Sequence, residues 1–233
     1  MTELKFGVFI DPLFLTSTYP AFKEQALEAE RLGYESLWLS DHLMSGSKPI
    51  VECFTTLSAF ASLTRKIRLG SLVACNSYRR PSILAKIGAT LDVISNGRLE
   101  FGIGAGWDEE EYRAYGIPFP RPSVRIAQLR EGIEIIKRMW TEESPSYSGR
   151  YFTIDRAHCE PKPLQKPHPP ITIGGGGEKR TLRVVAEHAD RANWMVSTEE
   201  FAKKSEILET HCHQVNRDCE AIERSWFARV KIC

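Results

Sequence analysis

Residues 67–104 read IRLGSLVACNSYRRPSILAKIGATLDVISNGRLEFGIG, and this stretch decides the predicted fold. Residues 67–74 form an apolar run of strand length, and residues 82–94 have the apolar spacing of a helix. Pro81 stands at the start of that helix, where the N–H group that proline lacks would have no partner. Residues 99–104 then predict a second strand. A strand, a helix and a strand in this order form a βαβ unit with two parallel strands.

The same alternation of strands and helices continues on both sides of this unit. Further strands are predicted over residues 5–10, 36–40, 171–173, 192–196 and 225–230. Further helices are predicted over residues 21–32, 54–63, 124–140, 179–188 and 199–219. Seven strands are predicted in all, and no dinucleotide-binding fingerprint follows the first strand. This pattern indicates a TIM-like (β/α) barrel of the α/β class rather than a doubly wound sheet.

Two features interrupt the barrel pattern. Residues 141–170 contain six prolines and many turn formers, so we expect an insertion between barrel units, with a small hairpin near residues 147–154. No eighth strand can be placed after residues 225–230. We therefore expect residues 1–233 to form a single domain whose barrel is incomplete at its C-terminal end, with the open edge covered by a partner chain or by further sequence.

Composition narrows the possible functions. The 233 residues include 31 basic and 30 acidic side chains, so no charge excess points to nucleic acid or to a membrane surface. No apolar run reaches the length of a membrane-spanning helix, and the amino terminus lacks the pattern of a signal peptide. The six cysteines are scattered, which favours reduced thiols in the cytoplasm. A small-molecule substrate is the expected partner.

Candidate site residues follow the strands, because a barrel enzyme carries its active site at their carboxyl ends. Asp11 follows the first strand. Asp41 and His42 follow the second and could form an acid/base or cofactor-binding pair, or a hydrogen-bonded loop pair. Alternate glycines from Gly102 to Gly106 could leave room for a planar ring or allow close strand packing.

Four consecutive glycines at 174–177 follow the fifth strand. Glycine lets the backbone approach a ligand closely, and a helix that begins directly afterwards offers free N–H groups to an anion. Lys179 and Arg180 could add positive charge. The run therefore predicts a site for a cofactor phosphate, and the alternative is a flexible turn.

Other polar groups have simpler interpretations. Glu109, Glu110 and Glu111 are interpreted as acids at a helix start, and Arg79 and Arg80 as part of a solvated loop. A helix containing His211 and His213 does not predict a metal site, because residues two apart on a helix point in different directions.

Longer segments of the chain together resemble the luciferase-like monooxygenase superfamily. The segments are FGVF at 6–9, ESLWLSDH at 35–42, IRLG at 67–70, TLDVISNGR at 90–98, GAGW at 104–107 and ITIGGGG at 171–177. Within the superfamily, GAGW, the glycine run and YRAYGIPF at 112–119 are most similar to the F420-dependent oxidoreductase branch.

The resemblance implies a barrel that carries F420, or FMN in sister branches, and passes a hydride between that ring and a small organic substrate. It implies that family members form homodimers. It also assigns cofactor contacts to Asp41 and to a backbone bulge behind the ring, which relatives form with a non-prolyl cis peptide. The remaining implied contacts follow the fourth and fifth strands. The residues are Leu72, Val73 and Ala74 in the bulge, then Gly104, Ala105, Gly106, Gly174, Gly175, Gly176 and Gly177.

The predicted catalytic residues are His42, Trp107 and Asp108. Some F420-dependent dehydrogenases carry a catalytic glutamate directly after the equivalent of Gly106, whereas this chain has Trp107 there. Two alternatives therefore stand beside the F420-dependent enzyme. One is an FMN-dependent monooxygenase of the same superfamily, and the other is a non-catalytic or truncated cofactor-binding relative.

Overall fold

A computed structural model describes residues 4–10 and 19–230 of the chain. Asp11, which was expected after the first strand, lies outside these residues. The strands are β1 (Gly7–Phe9), β2 (Ser36–Leu39), β3 (Arg68–Ser71), β4 (Ala74–Cys75), β5 (Leu99–Gly104), β6 (Tyr147–Ser148), β7 (Thr153–Ile154), β8 (Ile171–Gly174), β9 (Arg191–Trp194) and β10 (Glu223–Trp226). The helices are α1 (Tyr19–Arg31), α2 (Cys53–Leu63), α3 (Pro81–Ile94), α4 (Glu109–Ala114), α5 (Pro122–Thr141), α6 (Thr181–His188) and α7 (Thr198–Gln214), with a 3-10 helix at Cys219–Ala221.

The main sheet is parallel and runs in the order β1-β2-β3-β5-β8-β9-β10, with β4 paired to β5. All seven predicted strands are present in this sheet. Its two edge strands lie close to each other. The ring of Phe9 in β1 packs edge to face against the ring of Phe227, the residue after β10, with centroids 5.1 Å apart. The described strands therefore form a strongly curled sheet with β1 and β10 at its two ends.

Some predicted boundaries were wrong. The third predicted strand, residues 67–74, divides into β3 and β4 around a cis peptide bond between Leu72 and Val73. The last predicted helix ends at Gln214 rather than at residue 219, since Asn216 takes a φ of 55°, which an α-helix cannot continue through. The last strand begins two residues earlier than predicted and ends at Trp226.

The proline-rich segment contains the expected hairpin. Strands β6 and β7 pair antiparallel within it. The carboxylate of Glu131 on α5 accepts the backbone N–H groups of Arg150, Tyr151 and Phe152 at 2.9–3.1 Å. The hairpin is thereby attached to the outside of the barrel through its turn.

The two faces of β5 have different environments. Phe101 points outward, where its ring meets the edge of Trp140 on α5 at a centroid distance of 5.0 Å. Glu100 points the other way and pairs with Arg68 of β3 and Arg191 of β9. An apolar layer thus joins the sheet to its helices, and a buried ionic layer crosses the inner face near the amino ends of the strands. No helix in the described part of the chain is both long and apolar enough to cross a membrane.

Candidate functional site

Three separate segments meet around Val73 at the carboxyl ends of the strands. Val73 follows β3, while Gly104 ends β5 and Gly174 ends β8. A Cβ added to Gly104 or to Gly174 would lie 2.8 Å from a methyl group of Val73, closer than real Cβ atoms approach. The absence of side chains at these two positions therefore leaves a cradle formed by the Val73 side chain and glycine backbone.

The glycine run continues from this cradle as an accessible loop. Gly175 has a φ of +115°, a conformation that favours glycine. Helix α6 begins at Thr181, two residues later than predicted, so a turn separates the glycines from the helix. Lys204 of α7 donates from Nζ to the Gly176 carbonyl at 2.9 Å, placing a cation beside the loop. Lys204 lies 28 residues further along the chain, and no sequence pattern predicted its position beside this loop.

The side chain of Tyr112 holds the loop after β5 in place. Gly106 has a φ of +78°, and a Cβ there would collide with the Tyr112 hydroxyl. That hydroxyl lies 3.1 Å from Sγ of Cys75 and donates to the Ala105 carbonyl at 3.3 Å. Burial raises the pKa of Tyr112, so it stays protonated as a donor. Gly104, Ala105 and Gly106 are therefore held next to the end of β4.

Asp41 is buried, and its carboxylate is hydrogen-bonded to other protein groups. Its carboxylate accepts two hydrogen bonds from Arg79, at 2.7 and 2.9 Å, and one from the backbone N–H of Cys75 at 2.9 Å. Arg79 also pairs with Glu52. The interpretation of Arg79 as part of a solvated loop was wrong, because its side chain is 13% exposed and holds β2 against β4. Arg80 is exposed, as expected.

His42, Trp107 and Asp108 lie together at the site entrance. The rings of His42 and Trp107 are edge to face at a centroid distance of 5.6 Å, and Trp107 is 71% exposed. Asp108 caps α4 by accepting the Glu111 N–H at 3.3 Å. Side-chain ligand atoms of His42, Asp108 and Glu111 all lie within 4.8 Å of one another.

Glu111 is buried at the centre of this group, whereas Glu109 and Glu110 are exposed. Its carboxylate lies 3.0 Å from Nδ1 of His42 and accepts the Tyr78 hydroxyl and the N–H groups of Leu43 and Met44. Burial acts to raise the pKa of Glu111, but these hydrogen bonds outweigh it and hold the pKa below its ordinary value. Because protein donors already fill this carboxylate, the group is a hydrogen-bond network rather than an evident cation site.

The role of Glu111 was not predicted from the sequence, where this residue was interpreted as a helix-start acid. The spacing of Asp108 and Glu111 matches a helix capping pattern, which predicts a side chain that folds back on its own helix. The structure instead sends the carboxylate to the loop after β2, 68 residues earlier in the chain. No local pattern encodes that contact.

Residues 4–225 match the family model described as luciferase-like monooxygenase. The chain belongs to this family. It is 32% identical over 175 residues to the F420-dependent glucose-6-phosphate dehydrogenase of Amycolatopsis mediterranei, an alignment that covers 72% of this chain and 50% of that protein. The chain spans about half the length of the curated relatives it matches.

Solved structures of other proteins share this fold. The coenzyme F420-dependent tetrahydromethanopterin reductase of Methanopyrus kandleri superposes with a TM-score of 0.83 at 25% identity, covering 97% of this chain and 66% of that one. The oxygenating constituent of 3,6-diketocamphane monooxygenase from Pseudomonas putida, solved with FMN, gives 0.78 at 17% identity, covering 94% and 66%. The parallel sheet and these likenesses confirm the predicted luciferase-like (β/α)-barrel fold.

Proposed function

We propose that this chain is an oxidoreductase that binds F420 and exchanges a hydride between the deazaflavin ring and a small organic substrate. The observation that carries the proposal is the cradle in which Val73 lies against Gly104 and Gly174. A planar ring needs a surface of this kind at the mouth of a barrel, where one small side chain, Val73, is bordered by glycine backbone. The F420-dependent relative that aligns with 72% of this chain supports the choice of cofactor.

The residues present fit such a cofactor. Val73 would back the ring, with Leu72 and Ala74 forming the rest of the bulge, and Gly104–Gly106 would border it. The loop of Gly174, Gly175, Gly176 and Gly177 would take the phosphate tail, with Lys204 supplying positive charge beside it. Asp41 would act indirectly, since its carboxylate is already bound to Arg79 and Cys75. The bound cofactor supplies the hydride chemistry, and the protein supplies binding and orientation.

In this proposal His42 holds or moves a proton at the substrate. Trp107 replaces the glutamate found in some dehydrogenases, so it would form an aromatic wall of the substrate pocket rather than exchange protons. Asp108 would act through the start of α4, because its carboxylate caps that helix.

FMN is the alternative cofactor, and the fold shared with an FMN-bound monooxygenase supports it. The cradle offers the same surface to either ring. A homodimer and a cytoplasmic location remain predictions.

A titration of the purified chain with F420 and separately with FMN, followed by cofactor fluorescence, tests the proposal. The matched pair of variants is Gly174→Ala and Gly88→Ala, because in each the new Cβ would lie 2.8 Å from a neighbouring side chain. Gly174 borders the cradle, whereas Gly88 packs against Trp140 on the outside of the sheet. We expect Gly174→Ala to weaken F420 binding about tenfold or more, equivalent to about 1.4 kcal/mol, and Gly88→Ala to leave it unchanged. Equal affinities in both variants would contradict the cradle.

A further inference from the structure

Four groups hydrogen-bond to the carboxylate of Glu111, and one of them is the imidazole of His42. A carboxylate can only accept hydrogen bonds, so the 3.0 Å contact requires His42 to donate through Nδ1. A neutral imidazole with its proton on Nδ1 has a free lone pair on Nε2. The contact therefore selects one of the two histidine tautomers.

The same contact fixes the orientation of the imidazole ring. Glu111 is held from three other directions, by the Tyr78 hydroxyl and by the backbone of Leu43 and Met44. Its side chain is 1% exposed, so water does not compete for the carboxylate. The His42 side chain is 23% exposed and meets Trp107 at the entrance. Nδ1 is thus anchored in the protein, and the lone pair of the neutral ring lies on Nε2.

We propose that Glu111 is a positioning residue that keeps His42 in the Nδ1–H tautomer with Nε2 available at the reacting centre. The catalytic consequence of this inference rests on the proposed function. When a hydride is exchanged with the substrate carbon, Nε2 can accept one proton from the substrate oxygen or return it. The imidazolium that results keeps its Nδ1–H bond to the Glu111 carboxylate, which stabilises the added charge.

The tautomer can be read directly from the ¹⁵N side-chain resonances of His42 in the cofactor-free protein at about pH 8, where an ordinary histidine is neutral. The wild-type chain should show the proton on Nδ1. Glu111→Gln offers an amide in place of the carboxylate and should move a large share of His42 to the Nε2–H form. Glu110→Gln, an exposed change in the same helical turn, should leave the spectrum unchanged.

Two results would overturn the inference. One is a wild-type His42 that carries its neutral proton on Nε2, a test that does not depend on whether any variant folds. The other is a folded Glu111→Gln protein with the wild-type tautomer. The F420 titration separates this inference from the proposed function. A wild-type chain that does not bind F420 would remove the proposed function, while the spectrum would still decide the role of Glu111.

Discussion

Replacing Arg79 by methionine should destabilise the protein far more than the same change at Arg80. Asp41 is fully buried, and Arg79 supplies two of the three hydrogen bonds to its carboxylate. Methionine keeps much of the length of the side chain but removes the guanidinium. Asp41 would then be left as a buried carboxylate whose one remaining described donor is the Cys75 N–H.

The size of the effect follows from burial. Breaking a buried ion pair by removing one partner costs about 3–5 kcal/mol, because the remaining charge is uncompensated. For a chain of 233 residues, about 3 kcal/mol corresponds to a fall in Tm of roughly 6–12 °C. Arg80 is exposed, so Arg80→Met should change stability by less than about 0.5 kcal/mol.

Thermal and urea unfolding of the wild type and both variants, followed by circular dichroism, would measure these differences. A double variant, Arg79→Met with Asp41→Asn, should recover part of the loss because it removes the unpaired charge. If Arg79→Met unfolds at the same temperature as Arg80→Met, the ion pair does not hold β2 against β4 and our account of Asp41 is wrong.

Two further predictions concern the outer layers of the barrel. Burial, with the charge of Lys137 nearby, lowers the pKa of His188 to about 4, whereas an unfolded histidine titrates near about 6.5. The unfolded chain alone binds this proton as pH falls from about 6.5 towards 4, so stability should drop there, by about 2 kcal/mol at about pH 5. The urea midpoint of the wild type should therefore be lower at about pH 5 than at about pH 7.5, and His188→Gln should reduce this difference. The same difference in both proteins would refute the prediction. Trp140→Phe should lower the free energy of unfolding in urea by about 2 kcal/mol, since it leaves a void and deprives the Ala85 carbonyl of its 2.8 Å hydrogen bond. A loss below about 0.5 kcal/mol would mean that the indole packs less tightly than the structure indicates.

The sequence predicted the parts of the fold that depend on local pattern. Strand-length apolar runs, together with Pro81 at a helix start, located the seven predicted strands, which are all present in the main sheet. The placement of candidate residues after strands followed from the barrel architecture, which brings strand ends together. His42, Trp107 and Asp108 lie next to one another for that reason.

Long-range side-chain contacts could not be predicted in this way. Glu111 looks like its exposed neighbours Glu109 and Glu110, and its burial depends on a loop 68 residues away. Arg79 and Arg80 are likewise adjacent and chemically identical, yet Arg79 alone faces Asp41. Which member of such a pair is buried depends on the packing of distant segments, and a one-residue change in register would reverse it.

The most direct test of the central claim is a measurement of backbone hydrogen exchange, which shows the segments that bound F420 protects. We expect bound F420 to slow exchange in residues 99–108 and 171–182, which contain the glycines of the cradle and the loop that continues from it. Residues 147–154, in the hairpin on the outside of the barrel, should exchange as before. Protection confined to other segments, with residues 171–182 unchanged under saturating F420, would contradict a cofactor site formed by Val73 and these glycines.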